Sequence, residues 1–197
     1  MSKAKYITSA ILVAGMVISF AGCGEEKVYN GSDLYQKEGT YYEKGTNDLA
    51  DGIGREYSSD NVVEKETPYD DGKINGVVKI YYPSGKLREE MKYKDGEWVD
   101  VDKVYSENGT VVNETPIKNG MRNGTQVKYY DTGEIRQKTE YVDDKKEGKR
   151  EVFNKEGKLI IEVTYKNGNP ADGYEYGTDG STRRLTNNRY FALFGFN

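Results

Sequence analysis

The groups with chemical potential in this 197-residue sequence are one cysteine, Cys23, several close acid pairs and 18 tyrosines. There is no histidine. That removes Ser-His-Asp and Cys-His activation, His-ligated zinc and haem, and the usual carrier of protons near neutral pH. A lone cysteine forms no internal disulfide and no cysteine zinc site. Asp70-Asp71, Asp100 with Asp102, and Asp143-Asp144 could in principle ligate a metal or act as acid and base. None meets a calcium-loop spacing, and each lies beside a turn signal, so they read as solvated turn residues. Lys145-Lys146 and Lys149-Arg150 read as a solvated rim. No enzyme activity, cofactor or metal is expected. Tyrosines are left as the functional candidates. Tyr57, Tyr81, Tyr105 and Tyr129 recur at even spacing, and partly accessible rows of Tyr suit protein or glycan recognition, beside their plainer role in packing.

Cys23 has its own context. Lys3 and Lys5 precede an uncharged stretch from Tyr6 to Gly22, and Ala21-Gly22 stand directly before the cysteine. This is the order of a secretory signal peptide, residues 1–22. Small residues followed by Cys resemble the lipobox of bacterial lipoproteins, with Phe20 in place of the usual Leu. The resemblance implies cleavage before Cys23 and acylation there, a stable membrane attachment through several chains. Gly24, not Asp, follows the cysteine, which in a two-membrane bacterium implies the outer membrane. Loss of residues 1–22 leaves 27 Lys and Arg against 33 Asp and Glu. Such a chain repels phosphate backbones, so nucleic acid is not an expected partner.

The elements that position the tyrosines emerge from self-comparison. Gly52, Gly76, Asp100, Gly124 and Gly148 are spaced by 24 residues. So are Asn61, Gly85, Gly109, Gly133 and Gly157, and so are Gly72, Gly96, Gly120, Asp144 and Gly168. The three exceptions to Gly are Asn or Asp, the types that best tolerate positive φ, so these are turn positions. Asp95-Gly96, Asn119-Gly120 and Asn167-Gly168 are two-residue hairpin signals. Between the turns one aromatic series runs Tyr57, Tyr81, Tyr105, Tyr129, Phe153, and a second series runs Tyr69, Tyr93, Ile117, Tyr141, Tyr165. The position three before the second series reads Glu66, Glu90, Glu114, Lys138, Glu162. This is period-2 alternation of a buried and a wet face, which means strands. The predicted fold is all-β: an elongated single-layer antiparallel β-hairpin array of five units and about ten strands. Tall, flat Tyr rings suit a thin sheet because they cover area while leaving the hydroxyl wet.

The unit with Tyr-Tyr-Pro-Ser-Gly-Lys-Leu at 81–87 and Tyr-Lys-Asp-Gly at 93–96 resembles the MORN repeat. More closely it is similar to the bacterial variant of the YwqK-like antitoxin family. That likeness implies a β-hairpin solenoid used as a binding or spacing module, and in cytoplasmic members an antitoxin role. No Gly-rich phosphate loop opening a helix is present, so a kinase is not expected.

The resulting plan is a lipoprotein signal peptide (1–22), a tether and degenerate first unit (23–46), repeats (47–185) and an apolar tail (186–197) that caps the open end, docks a partner or touches the membrane. The expected function is non-catalytic: a membrane-anchored binding or scaffolding module whose partner is an envelope protein or glycan. An antitoxin-like or immunity protein is the alternative.

Overall fold

The computed structural model describes residues 26–186. Cys23, the segment 1–22 and the tail from 187 onward lie outside the described residues. Strands run in chain order as β1 (Val28–Asn30), β2 (Leu34–Lys37), β3 (Thr40–Glu43), β4 (Gly52–Tyr57), β5 (Val63–Asp70), β6 (Lys73–Ile74), β7 (Gly76–Tyr81) and β8 (Leu87–Lys94). They continue as β9 (Glu97–Tyr105), β10 (Val111–Lys118), β11 (Met121–Arg122), β12 (Gly124–Tyr129), β13 (Ile135–Val142), β14 (Lys145–Phe153), β15 (Leu159–Lys166), β16 (Asn169–Tyr176) and β17 (Thr182–Arg184). From β4 onward each long strand pairs antiparallel with the next, in one 15-stranded sheet. This is the expected hairpin array, longer than ten strands because β1, β16, β17 and the short β6 and β11 join it.

Every one of the fifteen recurring turn positions has positive φ, including Asn61 (61°), Asp100 (69°) and Asp144 (65°). The residue before each third-series position is left-handed too: Asp71, Asp95, Asn119, Asp143 and Asn167 lie between 46° and 53°. Two consecutive left-handed residues are the signature of the type I′ turn, whose twist matches that of the strands it joins. These turns stack. The backbone N–H of Gly72, Gly96, Gly120, Asp144 and Gly168 donates to the carbonyl of Ala50, Ile74, Trp98, Arg122 and Lys146 respectively, at 2.8–3.0 Å. One edge of the array is thus laced, each unit to the one before.

Register sets the faces. Gly54 pairs with Thr67 and Arg55 with Glu66, and because side chains alternate, these pairs point to opposite sides. The inner face carries the repeat residues that are buried: Thr67, Val78, Asp102, Thr115, Ile117, Thr139, Tyr141, Val163 and Tyr165. A flat single layer could not bury them, so the sheet must bend over this side. The cause is visible in the register shifts between Glu56/Tyr57, Ile80/Tyr81, Lys128/Tyr129 and Val152/Phe153. Each is a bulge placed at the first aromatic series, and bulges bend strands and re-aim side chains.

A double-length period also appears. β5 pairs first with β6 and then with β7, and β10 first with β11 and then with β12. At both interruptions a proline stands in an interior strand, Pro68 and Pro116, and its carbonyl accepts from Asn75 and Asn123. A central strand tolerates proline only where the ladder is already broken. Gly76 and Gly124 complete the break: a Cβ there would sit 3.0 and 3.2 Å from the rings of Pro68 and Pro116.

Side chains pack onto the sheet near both of its ends. At the first, β1 lies parallel to β4, and β2 with β3 forms a separate hairpin whose Leu34 packs with Tyr29, Ala50, Tyr41 and Tyr69. Tyr29 is tied down through its hydroxyl, 2.8 Å from Glu43 and 3.0 Å from the Asp51 carbonyl. At the other end Leu185 packs on Val163 and Tyr165.

Candidate functional site

Outer-face residues form a charge ladder across the strands. Following the pairing, the row runs Arg55, Glu66, Lys79, Glu90, Lys103, Glu114, Val127, Lys138, Glu151, Glu162. Opposite charges face each other over the first six, the favourable arrangement for cross-strand pairs. Arg55 reaches Glu66 at 2.9 Å and Lys103 reaches Glu114 at 3.8 Å.

The tyrosines singled out from the sequence lie on this ladder. The hydroxyls of Tyr81, Tyr105 and Tyr129 donate to Glu66, Glu90 and Glu114, each at 2.7 Å. Every bond spans fifteen residues, so each tyrosine ties its own unit to the glutamate of the unit before. Burial pushes the Tyr105 phenol up to about 12, with the Glu90 carboxylate adding to it. For Tyr129 the hydrogen bond to Glu114 leads and burial follows, again to about 12. Burial and then Glu66 raise Tyr81 as well. Tyr57 has no such glutamate, since Tyr42 stands fifteen residues earlier, and it is the most exposed of the four at 38%. Between the fourth and fifth units both partners change together: Lys138 replaces Glu, Phe153 replaces Tyr, and the ammonium lies 5.7 Å from the ring centroid. A cation over a ring substitutes for a phenol donating to a carboxylate. What this face offers a partner is a row of fixed rings between alternating charges, with three of the hydroxyls already engaged.

The second aromatic series is on the inner face, with Ile117, Tyr141 and Tyr165 buried. Arg122 lies over Tyr141 at 4.4 Å and Lys146 over Tyr165 at 4.9 Å. Sequence parity separated buried from wet positions but did not show that the middle of the inner face is polar. There Gln126 donates to the Thr115 hydroxyl, Gln137 to that of Thr139, and Arg150 to the Gln137 carbonyl, all at 2.9 Å. Asp102 is 8% exposed. Burial first, then the neighbouring Glu89 carboxylate that hydrogen-bonds to it, push its carboxyl up to about 6. Two carboxyls this close favour the protonated form of Asp102. They cannot flank a glycosidic bond, which needs about 5 Å or more between them. On the next strands the sign reverses. Burial and then the like charges of Arg150 and Arg136 lower Lys128, while burial, Arg150, Arg122 and Lys128 lower Lys146. A cavity of about 590 Å³ opens beside Lys128.

Asp70, Asp71, Asp143 and Asp144 stand at turns and strand ends as expected, whereas Asp100 lies inside β9, opposite Ile117, and keeps only the expected positive φ. Asp100 pairs with Lys92 at 2.7 Å and Asp144 with Arg122 at 2.8 Å. Among the described residues no group of three or more acidic or thiol ligands could hold a metal ion, and no helix is long and apolar enough to cross a membrane. Glu66, Glu90 and Glu114, the residues that fix the tyrosines, were visible only as a wet position. The signal that would have found them is the joint change to Lys138 and Phe153.

The family described as MORN repeat variant matches residues 74–95, 122–143 and 146–167. The first two matches start at the two proline-associated breaks, 48 residues apart, and the third follows the second by 24. These stretches carry MORN-type repeats, and the intervening unit that opens with Asp100 instead of Gly has the same strands and turns. No curated protein matches the chain.

Proposed function

We propose that this chain is a non-catalytic binding or scaffolding module, held at the cell envelope by acylation of Cys23 and presenting its outer face to an envelope protein or glycan. Repeats of this kind generally serve binding or scaffolding, and an array that buries only a thin inner face keeps most of its surface available for contact. The observation that carries the reading is the cross-strand ladder: Tyr81, Tyr105 and Tyr129 are locked at unit spacing by their glutamates, which gives a partner rigid aromatic anchors at low entropic cost. The sequence without histidine supports the non-catalytic part. The segment before Cys23, with its basic start and small residues, supports the anchor.

The test is capture from membranes by the full chain and by a Tyr81→Ala, Tyr105→Ala, Tyr129→Ala variant that retains its β-sheet circular dichroism. A partner retained by the first and lost by the second is expected; identical capture removes the outer face from the reading. In parallel, Cys23→Ser moves the protein from the membrane to the soluble fraction, and an unchanged distribution removes the lipid anchor.

A second reading is an antitoxin-like or immunity protein. The stretch matched at 74–95 contains the Tyr81–Leu87 segment that resembles the YwqK-like family. Growth rescue on co-expression with a neighbouring toxin gene separates this reading from the first.

A further inference from the structure

We propose that the cavity beside Lys128 binds a small hydroxylated anion, an acidic sugar or sugar phosphate. This goes beyond the partner-binding reading: Asn113, Gln126 and Lys128 come from the inner face, although Tyr129 of the outer series also lines the cavity. The cavity, about 590 Å³, is lined by Tyr82, Asn113, Gln126, Lys128 and Arg136, with Asp131 as its acidic member.

The repeats provide an internal control for what folding requires. At the position of Lys128 the other units carry Glu56, Ile80, Val104 and Val152, and at that of Gln126 they carry Gly54, Val78, Asp102 and Arg150. An aliphatic residue therefore satisfies the fold at the lysine position three times over. Lys128 is flanked in register by the neutral amides Asn113 and Gln137. The charged groups acting on it are Arg150 and Arg136, and both repel it. Neither Lys128 nor Arg136 makes an ion pair among the described residues. Lys128 and Arg136 are both exposed, so two positive charges stand at the cavity without an ion-pair partner, and an anion is the group that completes them.

One further atom narrows the ligand. The Asn113 side-chain oxygen is buried without a donor, while its amide nitrogen is engaged by Thr115 at 2.9 Å. A bare anion cannot supply that donor, whereas a sugar hydroxyl can. Tyr82, whose hydroxyl donates to the Tyr105 carbonyl at 2.7 Å, is fixed beside the cavity as an aromatic wall.

The experiment is calorimetric titration and thermal unfolding of the full-length protein with glucuronate, glucose 6-phosphate, inorganic phosphate and glucose, repeated on Lys128→Val. We expect glucuronate or glucose 6-phosphate to bind saturably and raise Tm, and whichever of the two binds tells carboxylate from phosphate. Glucose and inorganic phosphate should bind at least tenfold more weakly, and Lys128→Val should lose binding while its ligand-free Tm equals or exceeds that of the parent. Absence of binding by both anionic sugars overturns the proposal. Equal binding of glucose overturns the anionic assignment, and equal binding of inorganic phosphate overturns the sugar assignment. A lower ligand-free Tm for Lys128→Val makes the lysine structural and overturns the argument from the repeats. Tyr81→Ala and Tyr105→Ala, whose side chains do not line the cavity, leave this binding unchanged, so the two readings fail separately.

Discussion

Raising the pH should dismantle the tyrosine ladder. The ladder phenols of Tyr105 and Tyr129, and outside the ladder that of Tyr69 in the packed cluster at the first end of the sheet, are each pushed up to about 12 in the folded chain, against about 10 for an unfolded tyrosine. Between about pH 10 and 12 the folded state holds protons that the unfolded state has released, so stability is complete below pH 10 and falls as pH rises through 12. A two-unit shift corresponds to about 2.7 kcal/mol per group. Solvent screening of partly exposed rings brings this to about 1 kcal/mol each, or ~3 kcal/mol for three, a large part of a typical 5–15 kcal/mol. Urea unfolding followed by circular dichroism across this range, with phenolate absorbance in parallel, measures both sides. Lysine ion pairs also weaken at high pH, so Tyr105→Phe isolates one phenol's share. The variant should lose about 1 kcal/mol at neutral pH through its missing hydrogen bond to Glu90, and its stability curve should converge on the parent's by pH ~12. A parent curve flat from pH 10 to 12, with all tyrosines ionising near 10, refutes the ladder.

Other perturbations test other parts of the architecture. Gly52→Ala should destabilise by ~3 kcal/mol or more in chemical denaturation, because its Cβ would lie 2.2 Å from the Lys27 carbonyl oxygen at a φ of +137°. Gly96→Asn should stay within about 1 kcal/mol, since Asp144 already occupies the equivalent turn position and nothing lies within 4 Å of a Cβ at Gly96. Asp102→Asn should stabilise the protein by ~1–2 kcal/mol at pH 7: with a folded carboxyl near 6, the stabilising protonated form is present below about pH 4 and lost through 6, and the amide keeps a neutral group there. The gain should vanish at acid pH in the same denaturation assay. For Lys138→Glu with Phe153→Tyr, a double-mutant cycle should show each single change destabilising and the pair recovering ~1 kcal/mol, since together they restore the partnership of the other units.

The turn skeleton was legible because backbone strain is written in residue type. Asn61, Asp100 and Asp144 departed from Gly only toward residues that accept positive φ, and all three are left-handed in the structure. The two aromatic series were legible as periodicities, though not their assignment to opposite faces. Counting along the chain misses the bulges that shift register at Tyr57, Tyr81, Tyr129 and Phe153. The double-length period was present in Pro68 and Pro116 and in Asn75-Gly76 and Asn123-Gly124, but a proline within a strand acquires meaning only when its neighbour is known. The Asp102–Glu89 contact and the cation cluster around Lys128 were not legible, because they depend on which residues face each other across strands. Asp102 looked like turn chemistry from its nearness to Asp100, yet it is the neighbour that is solvated and Asp102 that is buried.

The central claim is that twenty-four-residue ribbons stack and are laced through their type I′ turns. Amide hydrogen exchange by NMR at Gly72, Gly96, Gly120, Asp144 and Gly168 tests it most directly, because each of these N–H groups donates to the preceding unit. The account predicts protection at all five, with exchange through openings as costly as those of the adjoining strands. Exchange at the rate of free turn amides, at these positions together, would contradict it.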